Sequence, residues 1–180
     1  MATARSLTSK VPYSVGDNGV AAWSMQHAGA WIGLLETHKQ LTRMLDAELE
    51  SRYGLSLSGL ELLARLAAAP GRCLRLSSLA VEAGLSLSRV SRIAVLLENR
   101  GLIERKPCTE DARAVEAHLT PAGLELMRTA QQTHFASVQR AFFDQLRDEE
   151  LEVLAGVFGR FSPRAGASCS AEPGSEDSTG

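Results

Sequence analysis

The sequence predicts a mainly α-helical fold that carries one small β-hairpin. Three observations lead there. Apolar residues recur at helical spacing through most of residues 28–161. Glycines and prolines cut that pattern into separate segments at Gly54, "APGR" at 69–72, Gly84 and Gly101. Only "LIERK" and "AVEAHL" change texture, to short and partly alternating runs separated by the polar "PCTEDAR", which reads as a hairpin.

The elements follow in order. Residues 1–22 are rich in Ser, Thr, Gly and Pro without periodicity and are expected to form a flexible arm. A first helix is predicted from Ala28 to about Arg52, with Trp31, Leu34, Leu35, Leu41, Leu45 and Leu49 at helical spacing. A second begins near Ser56 or Ser58 and carries Leu60, Leu62, Leu63 and Leu66. A short helix around Leu79 stops at Gly84, and another restarts at Ser86 or Ser88 and stops at Gly101. After the hairpin, Thr120 and Pro121 make an N-cap followed by Pro at the first helical position. That helix is expected to reach about Leu146, and a last one spans Asp148 to Phe161. Residues 163–180 are small, polar and acidic and read as a disordered tail. One folded domain is therefore expected over residues 23–162, with its compact centre at about 55–120.

The totals narrow the class. The chain has 180 residues, 44% hydrophobic and 5% aromatic, so a core built from Leu, Val and Ala is within reach. A net charge of -2 argues against a uniformly basic protein but allows a local basic patch. Three widely spaced cysteines, Cys73, Cys108 and Cys169, are no disulfide framework, and a reducing cytoplasm is the expected location. The first residues hold no apolar run of the kind found in signal peptides, and no stretch approaches the roughly 18 apolar residues that span a membrane.

The segment "LAVEAGLSLSRVSRIAVLLENRGLIER" has the parts of a helix-turn-helix. Ala80 is small where two helices cross, Gly84 tolerates the tight turn, and Leu85, Val90 and Ile93 anchor the second helix. With those inward, Ser86, Ser88, Arg89, Ser91 and Arg92 point largely outward. Short hydroxyls and arginines at the start of such a helix suit a DNA major groove, where Arg pairs with guanine O6 and N7. Between residues 70 and 107, seven basic residues face three acidic ones, a net of +4 within an acidic chain. Arg75, Arg105 and Lys106 are the candidate phosphate contacts. The hairpin then reads as a wing, with Arg113 reaching a minor groove and Asp111 orienting it. A solvated polar face is the plain alternative for the same serines and arginines.

Together with "LTPAG", this segment resembles the MarR family of winged-helix transcriptional regulators; "LLENRGLIER" and the Asp111-x-Arg113 pair are its most specific parts. The looser helical pattern extends the likeness over about residues 27–162. The resemblance implies a winged helix-turn-helix whose terminal helices form a homodimer, bound to a pseudo-palindromic double-stranded operator, most often as a repressor. By position Arg92 resembles the base-reading arginine and Arg113 the wing arginine; Ala112 departs from the Asp-Arg-Arg that many relatives carry at the wing. Family members are commonly released from DNA by a small, often aromatic and anionic effector. Trp31, His38 and Glu61 are the candidate lining of its cleft, although a Trp at helical spacing such as Trp31 is more often core or dimer packing and a His on an apolar face such as His38 more often a satisfied interface residue. A winged-helix dimer serving as a protein-interaction or ligand-binding module without DNA binding is the alternative function.

Other chemistries find no support in the motifs. "GLSLSG" at 54–59 has the wrong spacing for a nucleophile elbow, and Walker and dinucleotide fingerprints are missing, so no enzyme and no cofactor are expected. No Cys-x-x-Cys or His-x-x-x-His pair occurs, and His27 and His38, about 16 Å apart on one helix, cannot share an ion. No metal site is therefore predicted. Cys73 is read as lying in a linker and Cys108 in an exposed hairpin tip, both as structural residues rather than redox sensors.

Overall fold

The computed structural model describes residues 13–108 and 114–161. The chain divides within one helix into two units, Met1–Ala130 and Gln131–Gly180.

In the first unit, a hairpin of β1 (Tyr13–Val15) and β2 (Ala21–Trp23) precedes α1 (Met25–Tyr53). This corrects part of the arm expected at residues 1–22. Tyr13 faces Trp23 across the two strands, with ring centroids 5.9 Å apart edge-to-face, and Gly19 at φ 73 closes the turn. α1 ends at Gly54, whose left-handed φ of 59 lets its N–H reach back to the Glu50 and Leu49 carbonyls. The Arg100 guanidinium then donates to the carbonyls of Gly54 and, at 2.7 Å, of Tyr53.

Next come α2 (Leu57–Ala68), a 3-10 turn at Pro70–Arg72, β3 (Cys73–Arg75), α3 (Leu76–Ala83) and α4 (Leu87–Asn99). The Ser56 hydroxyl caps α2 by accepting from Gly59 N–H at 3.0 Å. Leu62, Leu63 and Leu66 of α2 are all at most 1% exposed, and each such burial stabilises by about 1.5–3 kcal/mol. They share one core with Leu49, Leu79, Ala80, Val90, Ala94, Leu97 and Ile103. β3 was not expected: the segment read as a linker is an edge strand.

β4 (Ile103–Pro107) and β5 (Val115–Leu119) form the expected hairpin, and the sheet order is β3-β5-β4. The Cys108 N–H extends the ladder to the Ala114 carbonyl, and its side chain is 4% exposed, which corrects the exposed position expected for it. Asp111 and Arg113 lie outside the described residues, as does the tail at 163–180. α5 (Pro121–Ala141) starts as predicted, with the Thr120 hydroxyl accepting from Gly123 N–H and donating to the Leu102 carbonyl, both at 3.0 Å. Gly123 is required there, because a Cβ would stand 2.0 Å from the Leu102 carbonyl oxygen.

The second unit contains the end of α5, a 3-10 turn at Phe143–Gln145 and α6 (Asp148–Phe161). α5 stops at Ala141 rather than near Leu146, because Phe142 leaves the helix with φ -127 and ψ -60. Among the described residues, no helix is long and apolar enough to cross a membrane.

Candidate nucleic-acid interface

α3, the turn at Gly84 and α4 form the expected helix-turn-helix. Gly84 caps α3 with φ 65, and its N–H returns to the Ala80 and Val81 carbonyls. Ser86 starts α4: its hydroxyl accepts from Arg89 N–H at 3.3 Å and lies 3.2 Å from the Ser88 hydroxyl. Val90, Ala94 and Leu97, spaced by four and three, turn inward and are buried. Leu85 and Ile93 pack against the same core while half-buried.

The opposite face of α4 exposes Ser86, Ser88, Arg89 and Arg92, while Ser91 is half-buried. Arg89 donates to the Ser58 hydroxyl at 3.2 Å, which leans its guanidinium toward the start of α2. Arg92 has no hydrogen-bond or ion-pair partner among the described residues. Leu87, 52% exposed at the first position of α4, joins this face. Sequence reading did not single it out; the signal was its place directly after the Ser86 cap.

The expected phosphate contacts sit differently, each beside an acid. The Arg105 guanidinium meets the Glu98 carboxylate at 2.6 and 2.8 Å, and its backbone N–H donates to the same group. These bonds hold the Glu98 carboxyl below the usual carboxylate range. Lys106 pairs with Glu104 at 2.7 Å, and hydrogen bonding from that ammonium lowers the Glu104 carboxyl likewise. Arg75 lies 4.0 Å from Glu116 and donates to Cys108 Sγ at 3.2 Å. Arg100, counted among the seven basic residues, is committed to backbone carbonyls. The +4 tally therefore overstates the free positive charge, which concentrates on α4.

Register explains the crowding. Residues two apart on a strand share a face. Cys73 pairs with His118, which pairs with Glu104; Arg75 pairs with Glu116, which pairs with Lys106. One face of the sheet is thus a grid of six polar side chains, while Leu74, Ala117, Leu119 and Ile103 pack on the core from the other. Within the grid, Cys73 Sγ lies 3.4 Å from His118 Nε2 and 3.6 Å from Glu116 Oε2, and those two atoms are 3.6 Å apart. The Cys108 thiol hydrogen bond is the main cause lowering the Glu116 carboxyl. Burial, with the adjoining Glu116 charge, raises the Cys73 thiol.

The candidate effector residues are not gathered into one cleft. His38 lines a hollow with Lys39, Thr42, Arg43, Asp46, Leu57, Ser58 and Arg89. Glu61 is engaged by Arg65 on its own helix at 2.8 Å, and Trp31 lies elsewhere on α1, 53% exposed.

Comparison with known proteins agrees with this geometry. Residues 53–114 match the model of the MarR family. The chain is 33% identical to AbsC, a MarR family transcriptional regulator from Streptomyces coelicolor, with a TM-score of 0.72 over 81% of this chain and 98% of that one. It is 29% identical to Sco3205, a MarR family regulator of the same organism solved in complex with DNA, with a TM-score of 0.73 over 86% and 96% of the two chains. Over 131 residues it is 27% identical to YhjH, an uncharacterised HTH-type transcriptional regulator of Bacillus subtilis strain 168, covering 71% of this chain and 74% of that protein.

Proposed function

Since the chain belongs to the MarR family of transcriptional regulators, we propose that it binds a pseudo-palindromic DNA operator as a homodimer and represses transcription. One observation carries the reading of DNA contact: Ser86, Ser88, Arg89 and Arg92 stand exposed on α4, with Arg92 bound to nothing else among the described residues. Sco3205, similar over most of this chain, was solved with DNA bound.

In this reading α4 enters the major groove. Arg92 and Arg89 read base edges, Ser86, Ser88 and Ser91 reach bases or phosphates, and Leu87 meets a thymine methyl. Arg75, Arg105 and Lys106 approach the backbone by sharing their charge with Glu116, Glu98 and Glu104. Arg113, oriented by Asp111, enters the minor groove. Two exposed apolar faces support dimerisation: Trp31, Ile32, Leu34 and Leu35 on α1 of the first unit, and Leu151, Phe158 and Phe161 on α6 of the second. The hollow beside His38 is lined by Lys39, Arg43 and Arg89 and suits a small anion whose binding would withdraw Arg89 from DNA. Trp31 and Glu61 are the weaker members of that effector proposal.

The test is a titration against the chain's own upstream intergenic DNA and against random duplex, each at two salt concentrations. Selective, salt-sensitive binding with one dimer per site is expected. Equal weak binding to both DNAs, persisting when sites are selected from genomic fragments, would replace this reading with an interaction or ligand-binding module.

A further inference from the structure

We propose that Cys73, Glu116 and His118 form a binding site for a tetrahedral divalent metal ion, zinc by its chemistry, on the outer face of the β3-β5-β4 sheet. The distances carry this. Ligand atoms about 2.0–2.3 Å from a tetrahedral Zn2+ lie about 3.3–3.6 Å from one another. The three observed separations are 3.4, 3.6 and 3.6 Å. The donor atoms thus already stand at the corners of one face of a zinc tetrahedron, and all lie within 4.8 Å of one another.

The placement does not depend on loose side chains. Cys73 and His118 are direct cross-strand partners, and Glu116 is two residues from His118 on the same face of β5. Glu116 turns Oε2 toward the other two ligands, while its Oε1 lies 4.0 Å from Arg75 Nε. That arrangement matches the outer-shell support that orients metal-bound carboxylates. Cys108 stands outside the ligand triangle.

The donor set selects the metal. One thiolate, one imidazole and one carboxylate suit zinc and disfavour magnesium and calcium, which take six or more oxygen ligands. On binding, Cys73 gives its thiol proton to solvent and coordinates as thiolate. Thiolate and carboxylate then balance the two positive charges, and His118 binds neutral. The fourth position is left to a water molecule, and His118 and Glu116 remain 33% and 24% exposed, so an ion can enter. The ligands come from the strand that runs into α3 and the strand that closes the hairpin. This site does not rest on the DNA reading, and its test uses no DNA.

The experiment is Co2+ titration of the full chain in a Cys169→Ser background, followed by displacement with Zn2+. The expected result is one Co2+ per chain, with a thiolate charge-transfer band and the strong visible bands of tetrahedral cobalt, all removed by Zn2+. Cys73→Ser should abolish the charge-transfer band, and His118→Gln should weaken uptake at least about tenfold. Cys108→Ser should retain the band. No band in the parent, a band surviving Cys73→Ser, or a band lost only with Cys108→Ser would overturn the site. Should a variant fail to fold, alkylation of the parent decides: one equivalent of Zn2+ must slow modification of Cys73, and an unchanged rate would equally overturn it.

Discussion

The outer face of α4 and the outer face of the sheet are both rich in cations, yet they use them in opposite ways. On α4, Arg89 and Arg92 meet no carboxylate among the described residues, and Arg89 touches only the Ser58 hydroxyl. On the sheet and its flank, Arg75, Arg105 and Lys106 each stand beside a glutamate. An unpaired guanidinium on a rigid helix keeps its full hydrogen-bonding capacity for a partner. A paired one must first share or surrender an existing contact, so its gain on meeting a phosphate is smaller. Specificity should therefore be concentrated on α4, with the sheet contributing position and a modest share of affinity.

The largest effect should come from breaking the joint that holds the two faces together. Gly123 lies against the Leu102 carbonyl, and Leu102 connects the end of α4 to β4. Gly123→Ala forces a Cβ into that backbone and should cost about 3 kcal/mol of stability, read as a lowered denaturation midpoint. DNA binding should fall with it. A midpoint within a few tenths of a kcal/mol of wild type would mean that the α4–sheet joint yields easily.

The comparison itself is sharpened by Arg92→Ala and Lys106→Ala. Arg92→Ala should lose about 1–3 kcal/mol on the selected operator, relax one base position and scarcely change binding to random duplex. Lys106→Ala should weaken both DNAs alike by a smaller factor and lower the salt slope by at most about 1, because Glu104 already holds that ammonium. If Lys106→Ala discriminated between the two DNAs more than Arg92→Ala, the division of labour between the faces would be reversed.

Much of this was legible in the sequence because it is local. Gly84 and Ser86 mark the turn and cap of the helix-turn-helix, and the spacing of Val90 and Leu97 shows which way α4 faces. What escaped was long-range. β3 is three residues long and is defined by hydrogen bonds to β5 rather than by its own pattern. Cys73 and His118 are 45 residues apart, so no short spacing motif could join them. The charge tally misled for the same reason: it counted Arg105 and Glu98 without knowing that the chain folds one onto the other.

That last pair offers the finest test of the contrast. Glu98 accepts three contacts from Arg105 and is held below the ordinary carboxylate range. A carboxylate depressed in the folded state adds stability above its unfolded pKa and loses it as pH falls through the folded value. Wild type should therefore lose more stability than Glu98→Gln between about pH 6 and about pH 3, since the other acids contribute equally to both proteins. The difference should be small, because the pair is part-exposed and screened by water. Glu98→Gln should also release the Arg105 guanidinium and raise its share of phosphate binding, steepening the salt dependence on random duplex. Parallel pH profiles with an unchanged salt slope would show that the Arg105 pairing gives way freely, and the sheet would then differ from α4 only in shape.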